Sequence, residues 1–212
     1  MRDSGKPIQI EEAVCADAEE ILALQRRAYQ SEAAIYDDYS LPPLQETLEE
    51  IRDRFRDHLF LKAVRGDRIV GSVRAREEDE ESDLESQDSG LKPPDSGVKS
   101  QDSGLKSQDF GLRSQDSGPK QVRARQGDRV CHVSRLIVDP QIQNRGLGTR
   151  LMREVEARFP GARRFELFTG HKSERNLHLY RKLGYRVWKT EFVHERLDLV
   201  YLAKARPTQG AA

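Results

Sequence analysis

The chain has 212 residues, 36% of them hydrophobic and 34% charged. Lysine plus arginine equals aspartate plus glutamate at 36 each, so no global field draws the chain to nucleic acid or to an anionic membrane. The opening MRDSGKPIQI has no apolar signal core, and no run of about 18 apolar residues follows, which predicts a soluble cytoplasmic protein. Cys15 and Cys131 are too few and too distant for a disulfide framework or a zinc site. The histidines at 58, 171, 178 and 194 are too scattered to suggest a metal.

Taken in chain order, Ile8 to Val14 alternates weakly and reads as a strand. Asp17 to Gln30 reads as a helix, with Ile21, Leu22, Leu24 and Ala28 at helical spacing. The stretch YQSEAAIYDDYSLPP reads as a loop. Leu44 to Phe55 reads as one helix with Leu44, Leu48, Ile51 and Phe55 on a face, entered through prolines suited to a helix start. Leu59 to Val64 and Ile69 to Arg76 form a hairpin around RGDR.

Residues 77 to 126 interrupt this pattern. Glu77 to Glu85 is acidic, and 86 to 120 are five heptads: SQDSGLK, PPDSGVK, SQDSGLK, SQDFGLR and SQDSGPK. Only one position per heptad is regularly apolar, so no coiled-coil seam exists. Each unit also carries a glycine, which costs about 1 kcal/mol in a helix. The segment reads as disordered, either a tether or an inconsequential expanded loop. Lengthening a hairpin loop from about 4 to about 50 residues costs only about 2 kcal/mol. The flanking sequences therefore read as one domain over 8–204, with 205–212 a flexible tail.

Val130 to Val138 then reads as a buried strand and Gly148 to Phe159 as a helix stopped by Pro160-Gly161. Arg164 to Thr169 is a strand, Ser173 to Leu183 a helix closed by Gly184, and Tyr185 to Phe192 and Arg196 to Leu202 are strands. Strands mixed with helices predict an α/β (α+β) domain, a mixed sheet flanked by helices.

QIQNRGLGTRL joins the buried strand to the following helix. A loop entering a helix offers free backbone N–H groups and the positive end of the helix dipole, a physical site for pyrophosphate. The loop has no GK[ST] and its spacing is not GxGxxG, which argues against a Walker loop and a dinucleotide fold. Gln143-x-x-Gly146-x-Gly148 resembles the signature of the GNAT superfamily of acetyl-CoA-dependent N-acetyltransferases. LIVDPQIQNRGLGTRLM resembles that family's strand–loop–helix. SERNLHLYRKLGY resembles its tyrosine-bearing helix, and the element order matches with a mostly antiparallel central sheet.

The resemblance implies transfer of an acetyl group from acetyl-CoA to a primary amine by direct attack, with no metal. A non-catalytic CoA-binding or interaction module is the alternative. Leu136, Ile137 and Val138 would pair their backbone with the pantetheine arm. Gln143, Asn144, Arg145, Gly146, Leu147, Gly148 and Thr149 would wrap the pyrophosphate. Tyr180 would be the general acid that protonates the departing thiolate. Many members have asparagine where this chain has Ser173. Ser173, which also suits a helix N-cap, or Asn176 would contact the cofactor arm. Some members place a basic glutamate on the strand where this chain offers His132, Ser134 and Arg135; His132, Glu166 on the next strand and a water chain stay open as the base. The acceptor, a small-molecule or peptide amine, would lie over the first two helices. Tyr29, Glu32, Tyr36, Asp37, Asp38 and Tyr39 there supply acids and aromatic rings suited to a cation. Neither the acceptor's identity nor the oligomeric state is legible.

Overall fold

The computed structural model describes residues 6–79 and 129–206. The heptads at 86–120 lie outside the described residues. The elements are β1 (Ile8–Glu12), α1 (Ala18–Tyr36), α2 (Pro42–Gln45), α3 (Leu48–Arg54), β2 (Leu59–Arg65), β3 (Arg68–Asp79), β4 (Arg129–Val138), α4 (Leu147–Arg158), β5 (Arg164–Gly170), α5 (Glu174–Lys182), β6 (Arg186–His194) and β7 (Leu197–Ala205). The strands form one sheet in the order β1-β2-β3-β4-β5-β7-β6. Every neighbouring pair is antiparallel except β4–β5. This is the mixed, mostly antiparallel sheet with flanking helices that the sequence predicts.

Apolar side chains pack on both faces. On one face Leu151, Met152 and Val155 of α4 and Leu177 of α5 meet Val73, Ala75, Cys131 and Phe165. On the other, Ile21, Leu24 and Ala28 of α1 and Ile51 of α3 meet Phe60, Ile69 and Ile137. Each of the buried Val, Leu, Ile, Phe and Met side chains gains about 1.5–3 kcal/mol on leaving water.

Four differences from the sequence reading go beyond a residue or two of fraying or change what a segment is. First, α1 runs on to Tyr36, so Tyr29, Glu32 and Tyr36 stand on a helix and not in a loop. Ala33 and Tyr36, three residues apart, are buried against Leu41 and Leu197, and that packing carries the helix on. It stops at Asp37, whose φ of 49° is left-handed. Second, the helix expected over Leu44 to Phe55 is two helices. Thr47 caps α3: its Oγ1 accepts from Glu50 N at 3.2 Å, and the Glu50 carboxylate accepts from Thr47 N at 2.7 Å. Third, β3 continues to Asp79, so Glu77, Glu78 and Asp79 belong to the sheet and not to the insert. They pair with Cys131, Val130 and Arg129. Fourth, Ala205 ends β7, and the Arg206 guanidinium donates to the carbonyls of Glu156, Phe159 and Pro160 at the end of α4.

Candidate active site

β4 and β5 pair over only three residues, Val130–His132 against Arg164–Glu166. Past that point β4 stays with β3 as far as Val138, and β5 stays with β7 as far as Gly170. A cleft therefore opens between two strands of one sheet. A bulge sits on its β4 side. Ser72 faces Ile137 and Arg74 faces Ser134, so Val73 alone opposes Arg135 and Leu136. Arg135 carries the strain of the bulge with φ 53°. The bulge inverts the side-chain alternation. Cys131 and Val133 lie with α4, as do Leu136 and Val138 beyond the bulge, whereas Ile137 turns to α1.

The β4 backbone divides in the same way. Asp139 N donates to Val70 O at 2.9 Å, so its polar groups face β3. By the alternation of an antiparallel pair those of Ile137 face β3 as well, and those of Leu136 and Val138 face the cleft. The Val138 carbonyl accepts from Gln143 Nε2 at 3.1 Å, and Gln143 Oε1 accepts from Arg175 at 2.8 Å. Gln143 thus ties the loop to the open edge of β4.

The loop then turns through two left-handed residues, Asn144 (φ 62°) and Gly146 (φ 80°). A Cβ at Gly146 would meet nothing within 4 Å, so the backbone conformation, not crowding, requires glycine there. Gly148 differs. A Cβ there would come 3.3 Å from Leu179 Cδ2, so its bare Cα lets α4 lie close to α5. Arg150 N makes the first bond of the α4 entry, to Gly146 O at 3.1 Å. The N–H groups of Leu147, Gly148 and Thr149 precede it, with no side-chain cap and no acid in the first turn. Arg145 is exposed beside them. Arg150 directs one Nη away from them, donating to Ile8 O at 2.9 Å.

Tyr180 and Leu177 are the buried residues of α5. Burial, and then the neighbouring Tyr29 and Glu32, push the Tyr180 phenol well above its ordinary value. Tyr29 and Glu32 belong to α1, which packs on the other face of the sheet. Ser173 stands at the N-cap of α5 but does not cap it. Its hydroxyl donates to Glu32 at 2.5 Å, and Asn176 Nδ2 donates to the other Glu32 oxygen at 3.2 Å. Tyr36 completes the cluster. Its hydroxyl lies 3.3 Å from Ser173 Oγ and accepts from Lys172 N at 2.7 Å. A Cβ at Gly170 would strike that hydroxyl, so β5 can end against Tyr36 only as glycine. The remaining acids expected near the acceptor are engaged locally. Asp37 pairs with Arg196 at 2.8 Å, and Asp38 accepts from Ser40 N at 2.8 Å.

The two side-chain candidates for the base come together. His132 and Glu166 face one another in the last rung before the strands part. Nδ1 of His132 is 3.9 Å from Glu166 Oε2, and its Nε2 is 3.4 Å from Glu78 Oε2. Cys131, beside them, is fully buried; burial, then Glu77, pushes its thiol up to about 12, which removes it as a nucleophile.

One group of residues gave no signal in the sequence. Glu46, between α2 and α3, is buried and receives Arg74 Nη1 at 2.7 Å, Gln25 Nε2 at 2.8 Å and Arg135 Nε at 3.3 Å. Arg74 Nε also donates to Ser134 Oγ at 3.1 Å. Burial opposes ionisation of Glu46, yet Arg74 and Arg135 outweigh it and hold the carboxyl below its ordinary value. Among the described residues no group of His, Cys, Asp and Glu could hold a metal ion. No described helix is long and apolar enough to cross a membrane.

A family model described as the acetyltransferase (GNAT) domain matches residues 115–187. The chain has the GNAT acetyltransferase fold. An acetyltransferase of the GNAT family from Streptococcus pneumoniae superposes with TM-score 0.57 at 17% identity, covering 94% of this chain and 99% of its own. An N-acetyltransferase (PaiA) from Thermoplasma acidophilum in complex with coenzyme A gives TM-score 0.57 at 14%, covering 92% and 98%. NAA60 from Arabidopsis thaliana in complex with acetyl-CoA gives 0.57 at 16%, covering 94% and 98%. No curated protein matches the sequence. At these identities the neighbours establish the GNAT fold and leave the acceptor of this chain open.

Proposed function

We propose that this GNAT domain transfers the acetyl group of acetyl-CoA directly to a primary amine. The observation that carries the reading is the cleft between β4 and β5, which has a capless helix entry at its wide end and the His132–Glu166 pair at its apex. The pyrophosphate lies on the N–H groups at Leu147, Gly148 and Thr149, with Gln143, Asn144, Arg145 and Gly146 shaping the turn. The pantetheine arm pairs with Leu136 and Val138 beside Ile137. Ser173 and Asn176 reach the arm through the edge they share with Glu32.

His132, beside Glu166, takes the ammonium proton. The free amine attacks the thioester carbonyl carbon, the C–S bond breaks and the sulfur takes the Tyr180 proton; the second proton of the nitrogen passes to the phenolate as the amide forms, which restores Tyr180. A phenol whose proton is held this tightly stays protonated at neutral pH, as an acid must. Direct transfer fits a site whose nearest thiol, Cys131, is buried and protonated.

The test is thiol release from acetyl-CoA with a panel of amines, with mass detection of the N-acetyl product. Release that depends on the amine supports the reading. Stabilisation by acetyl-CoA without turnover of any amine would replace it with a CoA-binding module.

A further inference from the structure

Arg74 and Arg135 share one carboxylate, Glu46, at 2.7 and 3.3 Å. The three side chains are 8%, 18% and 8% exposed, so the group holds an excess positive charge with little water around it. A buried charge without its counterpart is costly, and the cost falls when an anion arrives. The surroundings show which cation is free to receive it. Arg74 is used at Nε by Ser134 and at Nη1 by Glu46. Arg135 is held only at Nε, and its two Nη groups have no hydrogen-bond partner among the described residues. The fork of Arg135 is thus fixed at its root and open at its tip.

Its position is equally specific. Arg135 is the left-handed residue of the β4 bulge, at the edge of the cleft and on the α1 side. Its charge acts on the half-buried Tyr29, and Tyr29 in turn acts on Tyr180. A planar fork with two free N–H edges matches a carboxylate.

We propose that Arg135 binds a carboxylate of the acceptor, so that the acceptor is an amino acid, its amine held a short distance from its own carboxylate and next to the thioester. This rests on the acetyl-transfer reading above. It gives Glu46 a role as the positioning residue that aims the fork.

The test compares kcat/KM for L-alanine, L-methionine, L-glutamate and L-phenylalanine, each against its own amide, with acetyl-CoA saturating. The amide keeps the amine and loses the anion. At least one acid should exceed its amide by about tenfold to a hundredfold, the range for one hydrogen-bonded charged partner. In Arg135→Gln that ratio should collapse towards one, and Arg135→Lys should restore part of it. Equal use of acids and amides by the native protein overturns the inference, even if the Gln variant does not fold. So does an unchanged ratio in a folded Arg135→Gln. If no amine of any kind is turned over, the acetyl-transfer reading fails separately. The Arg135 site is then decided by melting temperature with N-acetyl-L-alanine against its amide at about 100 times the dissociation constant, where one bound ligand adds about 2.7 kcal/mol. Stabilisation by the acid alone, lost in Arg135→Gln, upholds the site. Equal stabilisation, or none, overturns it.

Discussion

His132 and Glu166 are 34 residues apart in sequence, yet they form the last rung at which β4 and β5 still pair, with Nδ1 3.9 Å from the carboxylate. The strands separate immediately beyond them. The two side chains therefore stand at the apex of the cleft that, in the proposed reaction, would hold the thioester. Replacing His132 with Ala should lower kcat by about a hundredfold or more, the lower end for loss of a general base. Glu166→Gln should cost less, because it removes a neighbouring charge and not the base. Steady-state kinetics with one good amine decides this; unchanged kcat in His132→Ala would remove histidine from the mechanism.

Tyr180→Phe keeps the ring against Tyr185 and removes only the hydroxyl. The fold and the affinity for acetyl-CoA should hold, and kcat should fall by about a hundredfold. A matching loss of acetyl-CoA binding, measured by calorimetry, would show that the phenol is a packing group and not the acid.

Gly146→Ala meets no neighbour but must adopt φ 80°. The strain should cost roughly 1–2 kcal/mol and should weaken acetyl-CoA binding, because the turn sets the N–H groups of the α4 entry. Gly148→Ala should act through Leu179 instead, lowering the melting temperature while affecting affinity less. Thermal melts with and without acetyl-CoA separate the two effects.

Glu46 gives a pH dependence. Its folded carboxyl sits below its ordinary value, so between the two values the unfolded chain binds the extra proton. Its contribution is complete above the unfolded value of about 4.3 and is lost as pH falls through the folded one. Melting temperature should therefore drop on acidification below about pH 4. Glu46→Gln should flatten that drop. It should also cost about 3–5 kcal/mol at neutral pH, because it leaves the buried Arg74 guanidinium without its anion. Melting curves of both proteins across pH 3 to 7 check it; parallel curves would contradict it.

What the sequence disclosed, and what it hid, follow from the range of the forces involved. The strands and helices were legible because Ile21, Leu24, Ala28 and Leu151, Met152, Val155 repeat at the spacing of one helix face. The glycine loop was legible because its conformation is local. The end of α1 was not, since Ala33 and Tyr36 are held helical by Leu41 and Leu197. The bulge at Arg135 was hidden because nothing local marks it; the left-handed residue is an arginine in a run of strand formers. The Glu46 group was hidden because its partners lie 21, 28 and 89 residues away. His132 and Glu166 were each visible as candidates, but only the parallel register of β4 and β5 makes them a pair.

Hydrogen exchange with and without acetyl-CoA tests the central claim most directly, because that claim is a backbone pairing in the cleft. The amides of Leu136 and Val138 face the gap, whereas that of Ile137 already faces β3. Acetyl-CoA should slow exchange at Leu136, Val138, Leu147, Gly148 and Thr149 and leave Ile137 nearly unchanged. Tight binding of acetyl-CoA with no new protection at Leu136 and Val138 would contradict the account.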